Sequence, residues 1–176
     1  MKQRIWLALL GAFTILLASC ASVKVSDYAN EKPKFDMKQY FTGKILAHGV
    51  VQDRSGKVTR RMVVNMTATW QGDTLTLDED FVYSDNKTEK RIWTIKKTGD
   101  RYVGTAADVV GEAVGEASGN ALNWRYVLAL NVDGTTYNLD FDDWMWQIDD
   151  KVMINRAEFS KFGFKLGEVL ISFTKL

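Results

Sequence analysis

Leu122-Asn123-Trp124-Arg125-Tyr126-Val127-Leu128-Ala129-Leu130-Asn131-Val132, followed at once by Asp133-Gly134-Thr135, decides the fold. Every even position of the run is large and apolar, the period-two pattern of a strand with one buried face. Asp133-Gly134 then supplies residues that tolerate positive φ, as a tight hairpin turn requires. The same pairing of stripe and turn recurs on both sides. Met62, Val64, Met66, Ala68 and Trp70 share one strand face, Leu75, Leu77, Phe81 and Tyr83 a face of the next, and Val169, Ile171 and Phe173 close the chain. Turn signals fall at Asp53-Arg54-Ser55-Gly56, Gln71-Gly72-Asp73, Ser84-Asp85-Asn86, Thr98-Gly99-Asp100, Asp149-Asp150 and Lys161-Phe162-Gly163. The chain is therefore read as all-β, a single antiparallel meander of roughly 8–10 strands closing into a β-barrel that hides its edges.

Two local features qualify this plan. Tyr137, Leu139 and Phe141 are apolar at odd positions, then Trp144, Trp146 and Ile148 at even ones, so a β-bulge is expected at Asp142-Asp143. Asp36 to Phe41 fits a short helical turn ahead of the first strand.

The N-terminus carries an address. Lys2 and Arg4 precede an apolar run from Ile5 to Leu17, and Leu17-Ala18-Ser19-Cys20 places small residues before the chain's only cysteine. That is the pattern of a lipoprotein signal peptide, with Cys20 as the lipidated residue. The expected division is a signal peptide over 1–19, a lipidated N-terminus and tether over 20–34 that holds the only proline, Pro33, and a barrel domain over 35–176. Ala21, where aspartate would signal inner-membrane retention, favours the outer membrane with the domain facing the periplasm. A formal charge of +1 with signs interspersed argues against a nucleic-acid partner.

Candidate site residues are few. Gly111, Ala113 and Gly115 belong to a stretch from Gly104 to Gly119 whose odd positions from 111 to 119, read as a strand, are all Gly or Ala, a nearly bare face that leaves room for a ligand in a barrel or for a tight corner. Trp124 heads the stripe beside it. Glu79 is in phase with Leu77 and Phe81, Arg91 with Trp93 on the adjoining strand, and Arg156 with Val152 and Ile154. Inward charges must be paired or reach water, so these three are candidate ligand-reading groups or internal ion pairs. His48, the only histidine, lies on a probable strand as a structural polar residue, and no nucleophile–base constellation surrounds it. One histidine and one cysteine exclude the usual zinc sets, and Asp78-Glu79-Asp80, Asp140-Phe141-Asp142-Asp143 and Asp149-Asp150 lack EF-hand spacing. No metal and no cofactor is expected.

Asp108-Val109-Val110-Gly111, Gly119-Asn120-Ala121-Leu122-Asn123-Trp124-Arg125-Tyr126, Phe141-Asp142-Asp143-Trp144-Met145, Lys161-Phe162-Gly163 and Gly167-Glu168 together carry a resemblance. Over these runs the mature chain resembles a family of proteobacterial lipoproteins known only as a domain of unknown function. That resemblance implies no reaction and no catalytic residue. The overall plan is also similar to lipocalin-like barrels, which bind small apolar molecules, although the lipocalin Gly-x-Trp signature is missing.

The expected function is a membrane-anchored lipoprotein that binds or carries a lipid or fatty-acid-like amphiphile in its barrel. The alternatives are a structural or assembly lipoprotein that binds an envelope protein through its outer surface, and a lipid-modifying enzyme using Asp142 and Asp143.

Overall fold

The structure is a computed structural model that describes residues 22–98, 101–132 and 134–176. The expected signal peptide and the expected lipidation site, Cys20, lie outside the described residues. Ten strands follow in order: β1 (Gly43–Asp53), β2 (Val58–Gln71), β3 (Thr74–Tyr83), β4 (Thr88–Thr98), β5 (Arg101–Thr105), β6 (Ala113–Ser118), β7 (Ala121–Val132), β8 (Thr135–Gln147), β9 (Val152–Lys161) and β10 (Phe164–Lys175). Each pairs antiparallel with its sequence neighbour. β10 returns to β1 with Ile45 opposite Lys175 and Asp53 opposite Gly167, closing the barrel. Closure leaves no row of unpaired backbone groups for another chain to extend.

The alternating stripes face inward. Met62, Val64 and Met66 of β2, Leu75, Leu77 and Phe81 of β3, and Leu122, Trp124 and Leu128 of β7 are all buried. The expected helical turn is present as α1 (Met37–Tyr40), and it plugs one end. Asp36 starts it by accepting a hydrogen bond from the Gln39 amide at 2.8 Å, satisfying a donor that the short helix leaves free. The Tyr40 hydroxyl donates to the Lys151 carbonyl at 3.1 Å and the Trp70 indole to the Phe41 carbonyl at 2.7 Å, tying the plug to the wall. Hairpin turns beyond β1, β3, β7 and β9, with the loop 106–112, ring the opposite end.

Three expectations are corrected. No bulge occurs at Asp142-Asp143: β8 runs in unbroken register, with Asp143 opposite Trp124 on β7 and opposite Ala157 on β9. Leu139, Phe141 and Asp143 keep facing inward, while Trp144 and Trp146 face outward. The outward rings mimic a core stripe because Tyr28 covers them, its ring centroid 5.8 Å from Trp144 and 6.3 Å from Trp146. The register shifts that do occur lie at Val51/Gln52 and Lys165/Gly167, near the open end.

Tyr28 belongs to a 3-10 turn, Val25–Tyr28, so the stretch read as tether is docked on the barrel wall from Val25 onward. The Phe35 amide donates to the Gly119 carbonyl at 2.7 Å, fixing the chain where it turns into the plug. The stretch from Gly104 to Gly119 is also two strands and not one. β5 ends at Thr105, β6 begins at Ala113, and the loop between them reaches β7, where the Val110 amide donates to the Val127 carbonyl at 2.9 Å.

Candidate functional site

The barrel encloses a cavity of about 340 Å³, a volume within the range of small-molecule sites. Its floor, above the plug, is apolar: Phe41, Met66, Leu75, Leu77, Ile95 and Leu122. Near the open end, Val51, Leu128, Leu130, Phe159 and Val169 form an apolar side, with Thr59, Arg60, Tyr83 and Glu89 lining the other. Between floor and open end lies a polar belt, because mid-strand inward positions on four strands are occupied by Glu79 (β3), Arg91 (β4), Tyr126 (β7) and Asp143 (β8). Asn155 of β9 completes it.

Each belt residue has a definable state. The Arg91 guanidinium is clamped by Asp108 of the 106–112 loop, with Nε at 3.0 and 3.1 Å from the two carboxylate oxygens and Nη2 at 2.7 Å. A bidentate charge-assisted pair of this kind is among the stronger side-chain contacts. Asp143 accepts from the Asn155 amide and from the Tyr126 hydroxyl. Glu79 sits opposite Arg91 in the sheet register, with the Trp93 indole as the hydrogen-bonding group beside its carboxylate. Desolvation pushes the Glu79 carboxyl up to about 7, with the nearby Arg91 charge opposing the shift. Desolvation likewise raises Asp143 to about 7, against the pull of Asn155 and Tyr126. Burial raises the Tyr126 phenol as well, with Asp143 adding to the shift. Arg91 keeps its proton despite burial, because Asp108 and Glu79 favour the charged form.

Aromatic rings fill the wall around the belt. Trp93 meets Trp124 edge to face at 5.9 Å and Tyr126 at 5.5 Å. Tyr126 stacks on Phe141 at 5.0 Å. At the open end the Arg60 guanidinium lies 3.4 Å from the centroid of Tyr83 and pairs with Asp85 at 3.1 Å.

The structure therefore brings Glu79, Arg91 and Trp124 to one cavity, and separates the other candidates from it. Arg156 is exposed on the outer face of β9, because Met153, Asn155 and Ala157 take the inward phase and Val152, Ile154 and Arg156 the outward one. Gly111 lies in an exposed bend with φ of 74°, where glycine is needed for the backbone and not for space. Ala113 is fully buried but does not line the cavity.

Gly115 faces inward, but its bare surface is already occupied. A Cβ built there would stand 2.1 Å from Trp124 Cε3, and one built at Gly104 would stand 2.8 Å from Trp124 Cζ2. The small-residue face is the seat of Trp124, and the cavity lies on the other side of that ring. His48 is exposed on the outer face of β1.

Sequence reasoning missed Asp108 and Asn155, and placed Asp143 at a bulge. The signal for Asp143 was its phase with Leu139 and Phe141. Asp108 had no signal, since its loop was read as strand. The acidic runs are split by alternation: Asp78 and Asp80 face out to Lys90, whose Nζ lies 2.9 Å from Asp80, while Glu79 faces in.

Comparison with known proteins adds a family and a fold. No curated relative matches the chain. Among solved structures it is similar to a protein of unknown function from the DUF3598 family of Nostoc punctiforme, with a TM-score of 0.58 and 11% sequence identity over 89% of this chain. The match covers 53% of that protein, so this chain spans about half its length, and at such identity the likeness is one of barrel fold alone. The family described as "Protein of unknown function (DUF3833)" matches residues 14–175. That span takes in every strand of the barrel, the plug and the belt, and the chain belongs to the DUF3833 family.

Proposed function

We propose that this chain is a lipoprotein anchored through Cys20 in the outer membrane, facing the periplasm, that holds a lipid or other small amphiphile inside its barrel. One observation carries the reading: a cavity plugged at one end, apolar at its floor and along one side of its mouth, and crossed by a polar belt. That is the layout for a molecule with a tail and a head. Each methylene transferred from water into the apolar parts contributes about 0.8 kcal/mol, so a tail of modest length offsets the cost of ordering the ligand.

The test is native mass spectrometry of the full chain released from detergent micelles, together with analysis of its organic-solvent extract. The expected result is a bound amphiphile in the extract and an added mass when dodecanol is supplied. An empty extract together with no dodecanol adduct would overturn the reading. The anchor is tested separately: Cys20→Ser is expected to leave the precursor unprocessed or move the protein out of the membrane fraction. Membrane association unchanged in that variant would remove the anchor.

The lipid-modifying alternative loses its carboxylate pair, since Asp142 and Asp143 point to opposite sides of the wall. The partner-binding alternative draws on the open end, where Phe162 is 86% and Phe164 75% exposed. These rings are the face to probe if the barrel proves empty.

A further inference from the structure

We infer that the head of the bound amphiphile is a protonated amine, read by Glu79 and Asp143, and not a carboxylate. This rests on the proposed amphiphile reading and names the chemistry of its polar end. Around the belt, the carboxyl groups of Glu79, Asp143 and Asp108 face one guanidinium, that of Arg91. Two of the Arg91 nitrogens, Nε and Nη2, fork onto Asp108, so that carboxylate offsets much of the one cationic charge at the belt. The other cation on the wall, Arg60, stands at the open end stacked on Tyr83, with Asp85 and Glu89 as its partners.

With its three carboxyl groups ionised against one guanidinium, the belt carries an excess of negative charge. Glu79 is only 6% exposed, lines the cavity, and has the Trp93 indole as its hydrogen-bonding neighbour, so it keeps capacity to accept from a ligand. A carboxylate head entering here meets like charges in a low-dielectric space, which is unfavourable for both. An ammonium head instead finds Glu79, then Asp143, as acceptors for its donors. It also finds Trp93, Tyr126 and Phe81 around it, and aromatic faces attract a desolvated cation. A neutral hydroxyl head donates one hydrogen bond but gains neither the ion pair nor the cation–π attraction.

Proton linkage sharpens the expectation. The groups facing the site are Glu79, Arg91, Asp108, Tyr126 and Asp143 at the belt, with Arg60, Tyr83 and Glu89 at the open end. Of these the two belt acids Glu79 and Asp143 change charge near neutrality, because burial holds both up to about 7. An arriving ammonium ionises them and releases protons, so amine affinity rises with pH, whereas a carboxylate ligand weakens as pH rises.

The experiment offers the full chain an equimolar mixture of dodecylamine, dodecanoate and dodecanol, which share one tail, and reads relative occupancy by native mass spectrometry. The amine is expected to exceed dodecanoate by at least about tenfold near pH 8, and by less near pH 6. Glu79→Gln is expected to abolish most of that preference while leaving dodecanol occupancy unchanged. Dodecanoate occupancy equal to or above that of the amine, with dodecanol bound normally, overturns the amine head and leaves the amphiphile reading standing. An amine preference unaltered in both Glu79→Gln and Asp143→Asn overturns the assignment of the head to this belt. Failure of all three probes to bind removes the amphiphile reading, and the head with it.

Discussion

Trp124→Ala is expected to lower the unfolding free energy by about 3–5 kcal/mol, the usual cost of deleting a large core ring. The ring is 4% exposed and lies across Gly115 and Gly104, so nothing in the wall collapses into the space it leaves. The opposite change, Gly115→Leu, is expected to destabilise by about 1–3 kcal/mol or more, because it forces the indole off its seat. The two lesions are complementary: one empties the seat, the other overfills it. Combining them puts leucine methyls where the indole was, and the double variant is expected to be more stable than the sum of the single losses predicts. Urea denaturation of the three variants measures the coupling. Strict additivity would mean that ring and glycine are not in contact, and the wall of the cavity would have to be redrawn. A neutral Gly115→Leu would mean that the small-residue face is open space after all.

How much of this was legible in the chain follows from what each residue had to declare. The inward stripes of β2, β3, β7 and β10 were plain, because alternation between Met62 and Trp70 or Leu122 and Val132 has no other economical reading. The misreading of β8 has one cause. Trp144 and Trp146 are apolar for a reason external to the barrel, since Tyr28 from a distant segment covers them. Counting them as core moved the phase of β8, hid Asp143 at an imagined bulge, and left its hydrogen-bond donor Asn155 unnoticed.

The same kind of error put Arg156 inside. Val152 and Ile154 look like a core stripe, but Ile154 is 38% exposed and the true stripe is Met153, Asn155 and Ala157, polar at its centre. Period-two reasoning finds apolar faces, and a functional lumen is where the inner face stops being apolar. Glu79 was legible only because its neighbours Leu75, Leu77, Phe81 and Tyr83 left no doubt about phase. Asp108 was beyond reach: it acts from a loop, and its pairing with Arg91 is set by the tertiary closure of β4 against β7 across the short strands β5 and β6.

The second large effect is a pH dependence opposite to that of most salt-bridged domains. The Glu79 carboxyl rises from 4.5 to about 7 on folding and that of Asp143 from 3.8 to about 7. Between those limits the native state holds protons that the unfolded chain has released, so stability falls as pH rises. The contribution is complete below the unfolded values and lost once pH passes the folded ones. For one group the change across this window is about 3 kcal/mol, with the second group coupled to it. Thermal unfolding of the unliganded chain is therefore expected to show a lower midpoint near pH 8 than near pH 5.

Glu79→Gln is expected to flatten much of that slope, matching the wild type near pH 5 and exceeding its midpoint near pH 8. The exposed carboxylates Asp53, Asp85 and Asp149 are held low by hydrogen bonds, so they act in the other direction and only at more acid pH. They do not mask the effect. A barrel that keeps two acids in its interior, at a cost to its own stability at neutral pH, gains from a ligand that ionises them, and dodecylamine is expected to raise the wild-type midpoint most where the free protein is weakest. A wild-type profile flat from about pH 5 to pH 8 would mean that Glu79 and Asp143 are hydrated. The desolvation on which the amine inference leans would then be gone.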